Sequence, residues 1–386
     1  MTAAARPTIP GATYASRLAR AGEATTAAGF DALLVGVGPE LRYLTGYEAM
    51  PLERLTMLVI VPSKPPTIVV PRLERGAAEA GLRTAVEIAT WEEGGDPYGV
   101  VAGIVSSGTS GRGGRRLAVS ATLWAAHLLR LQDTLPDSRF EPATGVLRDL
   151  RMIKDADEIT LLRLAAEAAD RVVAQIAAGR LVGRTEADVA REVRDRLIAE
   201  GHDDAHFAIV GSGPNSASPH HEASDRVIKA GEPIVLDIGG TLGGYGSDIT
   251  RTVWVTGGDP AKGPDEEFRR LFAVLRAAQD KATRAVRPGV ACEAIDATAR
   301  SLIDAEGYGA AFFHRTGHGI GLEGHEEPYI IAGNGEPLAE GMAFSVEPGI
   351  YLVGRYGARI EDIVVCGKDG PIALNRADRD LYVVDG

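Results

Sequence analysis

The sequence predicts an α+β protein of two domains: a smaller α/β domain, then a larger one built from an internal repeat. Three observations carry this. Roughly the first 145 residues alternate helix-like and strand-like runs, the texture changes near Val146, and one segment of the second half recurs at a constant offset. With 386 residues and about 100–200 residues per domain, two or three domains are expected. The boundary is placed between residues 148 and 149, giving domains 1–148 and 149–386.

In the first domain, Ser16 to Ala28 reads as a helix. "DALLVGV" (31–37), "TMLVIVP" (56–62), "TIVVP" (67–71) and "LAVS" (117–120) read as strands. "SSGTSGRGGRR" (106–116) reads as a flexible loop. It lacks the GK[ST] ending and the following helix of a phosphate-binding loop. From residue 150, "LRMIKDADEITLLRLAAEAADRVVAQIAAG" reads as one long amphipathic helix with a charged start. The repeat aligns "VGRTEADVAREVRDRLIAEGH" (182–202) with "PGVACEAIDATARSLIDAEGY" (288–308). Gly183 pairs with Gly289, Val189 with Ile295, Leu197 with Ile303 and Gly201 with Gly307. A long helix precedes each copy (158–178 and 265–286), and glycine-rich, strand-like sequence follows. Two halves of similar build imply a pseudo-twofold with a cleft between them.

Composition narrows the function. The chain is 45% apolar and 24% charged, with a formal net charge of −12. That balance disfavours nucleic acid or an anionic membrane as partner, since both favour a basic face. The two cysteines, Cys292 and Cys366, make neither a CxxC pair nor a Cys/His pattern, so no disulfide framework or thiolate zinc site is expected. No apolar run approaches about 18 residues, and the N-terminal stretch has no signal-peptide core, so a cytoplasmic protein is expected. Of eight histidines, only His127 lies in the first half, which places any imidazole chemistry in the second.

The chemistry-bearing residues follow the two repeats. "PIVLDIG" and "SDITRTVWV" are β-rich runs joined by "GTLGGYG", hence a hairpin with Asp237 and Asp248 inside its strands. No helix follows the glycines, which excludes a dinucleotide-binding fingerprint. Two carboxylates side by side in apolar strands require a neutralising cation. After the second repeat come "TGHGIGLEGHEEP" with His318, "AFSVEPGIY" (343–351), a strand ending at Glu347-Pro348, and "GARIEDIVV" (357–365), an apolar strand carrying Glu361. Asp237, Asp248, His318, Glu347 and Glu361 form a hard, oxygen-rich set suited to Mn²⁺, Co²⁺, Fe²⁺ or Zn²⁺. Five such ligands suffice for two metals about 3.5–4 Å apart.

"PHHEASDRVIKAGEPIVLDIGGTLGGYGSDITRT", "TGHGIGLEGHEEP", "SVEPGIY" and "ARIED" resemble the motifs of prolidase and aminopeptidase P, the dinuclear pita-bread metallopeptidases. The resemblance runs from about Leu147 to the end. "DALLV" and "LRYLTGY" (41–47) resemble the creatinase-like N-terminal domain of the same proteins. The resemblance implies that Asp237, Asp248, His318, Glu347 and Glu361 ligate two divalent ions, manganese first, with cobalt, zinc or iron as alternatives. Asp248 and Glu361 would bridge. It implies hydrolysis of an N-terminal Xaa-Pro bond by a bridging hydroxide, with Glu347 moving the proton and His220 and His325 meeting the substrate. Tyr351 and Arg359 match positions that orient ligands, and His221 lines the cleft entrance. The expected partners are short peptides with proline second and another copy of the chain in a homodimer.

His314 stands four residues before His318, but Gly317 and Gly319 argue against a helical pair, so only His318 is taken as a ligand. His202 and His206 are read as surface or strand residues. Gly317 and Gly319 are expected to let backbone pass close to the metals. Tyr329 stands where some prolidases carry a carboxylate-binding arginine. That leaves dipeptidase and aminopeptidase readings both open, with Arg355 as another arginine for the cleft. A broader-specificity peptidase of the same fold and a creatinase-like hydrolase are the alternatives.

Overall fold

The structure is a computed structural model that describes residues 6–62, 64–108 and 114–386. Of the stretch 106–116, residues 109–113 lie outside the described residues, while 106–108 end a helix and Arg116 opens a strand rather than belonging to a loop. The chain divides into two compact units, one spanning Ile9–Arg151 and the other Met152–Gly386 with residues 6–8.

The first unit alternates helices and strands: α1 (Gly11–Ala27), β1 (Ala32–Val35), α2 (Pro39–Thr45), β2 (Met57–Ile60), β3 (Thr67–Pro71), α3 (Arg75–Gly81), β4 (Glu87–Trp91), α4 (Pro97–Gly108), β5 (Arg116–Val119), α5 (Ala125–Thr134), β6 (Arg139–Pro142) and α6 (Thr144–Met152). Its sheet has the order β4-β3-β2-β1-β5-β6. β1 runs parallel to β5 and antiparallel to β2. The central strands are buried on both faces, which explains their unbroken apolar sequence.

The segment 150–179 is not one helix. α6 ends at Met152, Ile153 bridges to Met342, and α7 (Ala156–Ala177) starts afresh. The Asp155 side chain accepts from the Glu158 amide while the Glu158 side chain accepts from the Asp155 amide. This capping box initiates a helix rather than continuing one.

The second unit has two halves of like build. α7 and α8 (Glu186–Ala199) pack on a four-stranded sheet of order β17-β9-β8-β7. These strands are β7 (Asp204–Ser212), β8 (Glu232–Leu242), β9 (Tyr245–Val255) and β17 (Tyr382–Val384). Val172, Ile176, Leu197, Leu236, Ile249 and Val253 belong to its core. α9 (Glu266–Ala285) and α10 (Cys292–Ala305) belong to the other half. Its sheet has the order β11-β10-β12-β15-β16, from β10 (Gly317–Gly319), β11 (Glu326–Ile330), β12 (Ala343–Val346), β15 (Asp362–Gly367) and β16 (Gly370–Ala373). A separate ribbon pairs β13 (Gly349–Leu352) with β14 (Tyr356–Arg359). Phe268, Leu271, Ile295, Ile303, Phe344 and Val364 belong to the second core.

Five local expectations are corrected. The hairpin strands are each 11 residues long and meet in the two-residue turn Gly243-Gly244. Their φ angles of 62° and 85° suit a primed turn, whose twist matches the strands. Asp237 faces Thr250 and Asp248 faces Gly239, so the carboxylates are diagonal neighbours on one face rather than opposite each other. The strand 343–351 breaks after Val346, and the strand 357–365 breaks around Ile360 and Glu361. Glu361 instead bridges sideways, its amide donating to the Thr250 carbonyl at 3.1 Å. His202 is buried: its Nδ1 donates to the Leu197 carbonyl at 3.2 Å and its Nε2 accepts from Ser247 at 2.8 Å. The Gly201 turn, with φ of 111°, ends α8 and folds His202 inward. No described helix is long and apolar enough to cross a membrane.

Candidate metal centre

Asp237 on β8, Asp248 on β9, His318 on β10, and Glu347 and Glu361 at the strand breaks converge within the second unit. Asp248, His318 and Glu361 each offer a ligand atom within 4.8 Å of the others'. His318 Nε2 is 3.2 Å from Glu347 Oε1 and 3.8 Å from Asp248 Oδ2. His318 Nδ1 donates to the Gly319 carbonyl at 3.1 Å, so the Nε2 lone pair faces the carboxylates.

The fit to a cation rests on what these carboxylates lack. Asp237 Oδ1, Asp248 Oδ1 and Glu361 Oε1 are buried with no hydrogen-bond partner. Buried polar atoms are almost always paired. Three orphaned anionic oxygens around one imidazole suit a hard divalent cation. The other oxygens are held in place. Arg359 Nη2 donates to Asp237 Oδ2, Thr250 Oγ1 donates to Glu361 Oε2 at 2.7 Å, and Ser345 Oγ donates to Glu347 Oε1 at 3.1 Å. Arg251, buried against Asp362 at 2.7 Å, also donates to the Glu361 carbonyl at 2.7 Å and fixes the break carrying Glu361.

Burial and neighbouring carboxylates push Asp248 and Glu361 well above the usual carboxylate range, and chiefly burial pushes Glu347 up to about 7. Burial holds His318 down at about 3, which keeps it neutral. The metal-free fold therefore keeps protons that the unfolded chain releases. For Glu347 that stabilisation is complete below its unfolded value of 4.5 and is lost as pH rises through about 7. Metal-free protein is thus expected to melt higher at pH 5 than at pH 8. Divalent metal should bind more weakly, with greater proton release, at pH 6 than at pH 8. Titration calorimetry in buffers of different ionisation enthalpy measures this, and pH-independent proton release contradicts it.

Of the remaining predicted residues, Arg359, Tyr351, His325 and Tyr329 adjoin this group, directly or through one partner. Arg359 Nη1 donates to the Tyr351 hydroxyl at 2.9 Å. That hydroxyl donates to His314 Nε2 at 2.9 Å, because His314 Nδ1 donates to the Arg315 carbonyl at 2.7 Å. His314 is therefore a partner of Tyr351 rather than a member of the acidic group. The His325 ring lies against that of His318, tilted by 40° with centroids 3.9 Å apart. Its neighbour Glu326 is held by buried Lys154 at 2.5 Å. His220 is exposed, and its field reaches His314 and His325. His221 Nε2 lies 2.7 Å from Glu186 Oε2. Tyr329 pairs with His318 across β10 and β11. Thr250, Ser345, Arg251 and Glu186 were not anticipated, and His314 was weighed only as a ligand. Only Thr250 and His314 carry a sequence signal, standing two residues after Asp248 and four before His318.

The glycines flanking His318 are explained by backbone rather than by metal. A Cβ on Gly317 would lie 1.9 Å from the Ser345 carbonyl oxygen, and one on Gly319 2.3 Å from the Glu327 carbonyl oxygen. Gly317→Ala is expected to pry β10 from β12, cost about 1–3 kcal/mol and lower metal content. Urea melts with metal analysis test this; a fully loaded, equally stable variant contradicts it.

Comparison with known proteins agrees with this geometry. Residues 160–368 match the model of metallopeptidase family M24, and residues 17–153 that of the creatinase/prolidase N-terminal domain. The chain is 46% identical over 380 residues to a probable dipeptidase PepE of Mycobacterium tuberculosis, covering 96% of each. It is 33% identical over 352 residues to an Xaa-Pro dipeptidase of Pyrococcus horikoshii, covering 91% of this chain and 94% of that one. The crystal structure of a prolidase from Thermococcus sibiricus superposes with a TM-score of 0.89 at 37% identity, covering 96% of this chain and 99% of that one. The chain belongs to metallopeptidase family M24, with a creatinase-type domain ahead of a pita-bread domain.

Proposed function

We propose that the chain is a dinuclear metal-dependent peptidase that hydrolyses the Xaa-Pro bond of dipeptides or short peptides, with 149–386 as its catalytic domain and 1–148 as the creatinase-like domain. The observation that carries this is the trio of orphaned buried oxygens on Asp237, Asp248 and Glu361 around neutral His318. The names of the relatives, Xaa-Pro dipeptidase and prolidase, support the substrate class.

Asp237, Asp248, His318, Glu347 and Glu361 would hold two divalent ions, manganese first, with cobalt, zinc or iron as alternatives. Such ions activate a water and polarise the scissile carbonyl. Glu347 accepts the water's proton and returns it to the leaving nitrogen, a role suited to a carboxylate poised near 7. His220 and His325 stabilise the carbonyl oxygen as charge develops. Arg359 and Tyr351 hold Asp237 in place. His221 fixes the segment carrying His220, and Tyr329 stands beside His318 across the strand pair. A cytoplasmic homodimer completes the reading, supported by the resemblance to prolidases.

The test is hydrolysis of Gly-Pro and of an Xaa-Pro-Xaa tripeptide by metal-replete enzyme, after chelation and after manganese add-back. Chelation is expected to abolish cleavage and add-back to restore it. Cleavage of neither peptide by metal-replete enzyme refutes the proposal.

A further inference from the structure

Lys154 and Glu326 form an ion pair inside the second unit, with Lys154 Nζ 2.5 Å from Glu326 Oε1 and only 1% and 8% of the two side chains exposed. Such a pair stabilises a fold little better than apolar residues of the same size, because both charges must be stripped of water. What it adds is fixed geometry. Arg359–Asp237 and Arg251–Asp362 are buried likewise, and each touches an acid of the metal centre. Arg359 donates to Asp237, and Arg251 to the Glu361 carbonyl. Lys154–Glu326 instead stands directly behind His325.

The chain leaves β10 after Gly319 and returns at Glu326, which pairs with Gly319. His325 is the last residue of that excursion and is exposed, while Glu326 beside it is buried. The Glu326 carboxylate is confined on two sides. Lys154 donates to Oε1, and a Cβ on Gly321 would lie 2.5 Å from that same atom. Lys154 is itself firmly held. Its amide donates to the Gly341 carbonyl at 2.9 Å, Ile153 before it bridges to Met342, and Asp155 after it caps α7. Arg315 Nη2 lies 3.0 Å from His325 Nδ1. Arginine only donates, so Nδ1 accepts and the proton sits on Nε2. His325 therefore offers an Nε2–H donor, and its backbone is anchored one residue away.

Resting on the peptidase reading above, we propose that Lys154 is a positioning residue for the reaction. Through Glu326 it holds His325 where Nε2–H meets the substrate carbonyl oxygen as charge develops there. A donor fixed in advance need not be reorganised during the reaction.

Kinetics on the faster of Gly-Pro and an Xaa-Pro-Xaa tripeptide, with metal-replete enzyme and calorimetric metal binding alongside, test the proposal. Lys154→Met is expected to lower kcat by on the order of 10–100-fold, less than the roughly 100–1,000-fold lost with a whole oxyanion donor. KM and metal affinity should change little. Lys154→Arg, which keeps the charge, should recover part of the loss. Removing one partner of a buried pair also weakens the fold. Lys154→Met/Glu326→Gln removes cation and anion together and should show the same fall in kcat. In a His325→Ala background, Lys154→Met should have no further effect on kcat, because the residue it positions is gone. Unchanged kcat in both Lys154→Met and the paired variant overturns the proposal. So does a loss of equal size with and without the His325 side chain, or one that tracks lost metal. If metal-replete wild type cleaves neither peptide, the peptidase reading itself falls, and this proposal with it.

Discussion

Asp248→Asn is expected to abolish hydrolysis and metal uptake while making the metal-free protein more stable. Asp248 is buried, repelled by Glu361, Asp237 and Glu347, and has one oxygen with no donor. Without a cation that arrangement disfavours the folded state. A neutral amide of the same shape removes the repulsion and the anionic oxygen together. The loss of activity should exceed the roughly 10–100-fold that removing an outer partner of a metal ligand produces. The gain in metal-free stability should be about 1 kcal/mol or more, roughly 2–4 °C for a unit of this size. Glu361→Gln should behave alike, while Thr250→Val, which removes the donor to Glu361 and the acceptor of Arg359 Nε, should fall within the outer-partner range. Activity at saturating metal, calorimetric metal binding and melting in chelator decide the matter. An Asp248→Asn enzyme that binds metal and turns over normally removes Asp248 from the site.

Asp237 and Asp248 are legible in the sequence because an acid inside an apolar, β-branched run is chemically out of place, and two such runs face each other across a glycine turn. His318 stands out for its flanking glycines, although the close neighbour they admit is the backbone of Ser345 and Glu327. Glu347 and Glu361 are legible as residues but not as positions. Apolar runs on both sides read as continuous strands, whereas the chain breaks at each and turns the acid inward. What breaks the second run is long-range. The Glu361 amide finds the Thr250 carbonyl, and Arg251 ties down the Glu361 carbonyl from over one hundred positions away. Ser345 and Arg251 are ordinary strand residues by type, so nothing local marks them as partners of the acidic group, and Thr250 is marked only by standing two residues after Asp248. The capping box of Asp155 and Glu158 is a local signal, and it is masked by the helix-like residues on either side.

Glu186→Gln is expected to destabilise the second unit by roughly 3 kcal/mol and to slow turnover in the protein that remains folded. Glu186 opens α8 and is fully buried. One oxygen accepts from the Ser212 amide and hydroxyl at 2.8 and 2.6 Å and from Asn215 at 3.0 Å. The other accepts from His221 at 2.7 Å and from the Ser224 amide and hydroxyl at 3.1 and 2.6 Å. Burial alone would raise this carboxyl, but the hydrogen bonds from Ser212, Ser224 and His221 outweigh it and hold the group down at about 2, against an unfolded value of 4.5. The stabilisation is therefore present above about pH 4.5 and is lost as pH falls through 2. A glutamine must turn its own NH₂ toward one of those sets of donors, leaving them unpaired in the interior. The stability gap between wild type and variant should be widest near neutral pH and narrow toward pH 3, as urea melts across that range would reveal. Equal stability at pH 7 contradicts the expectation. The effect on turnover follows from where His220 sits. The carbonyl before it, on Pro219, accepts from Arg359 at 3.3 Å, and the ring after it, on His221, is held by Glu186. Releasing one of the two anchors leaves the His220 imidazole free to swing from the carbonyl oxygen it is proposed to stabilise. Such a contact strengthens only as charge develops, so kcat should fall with KM little changed.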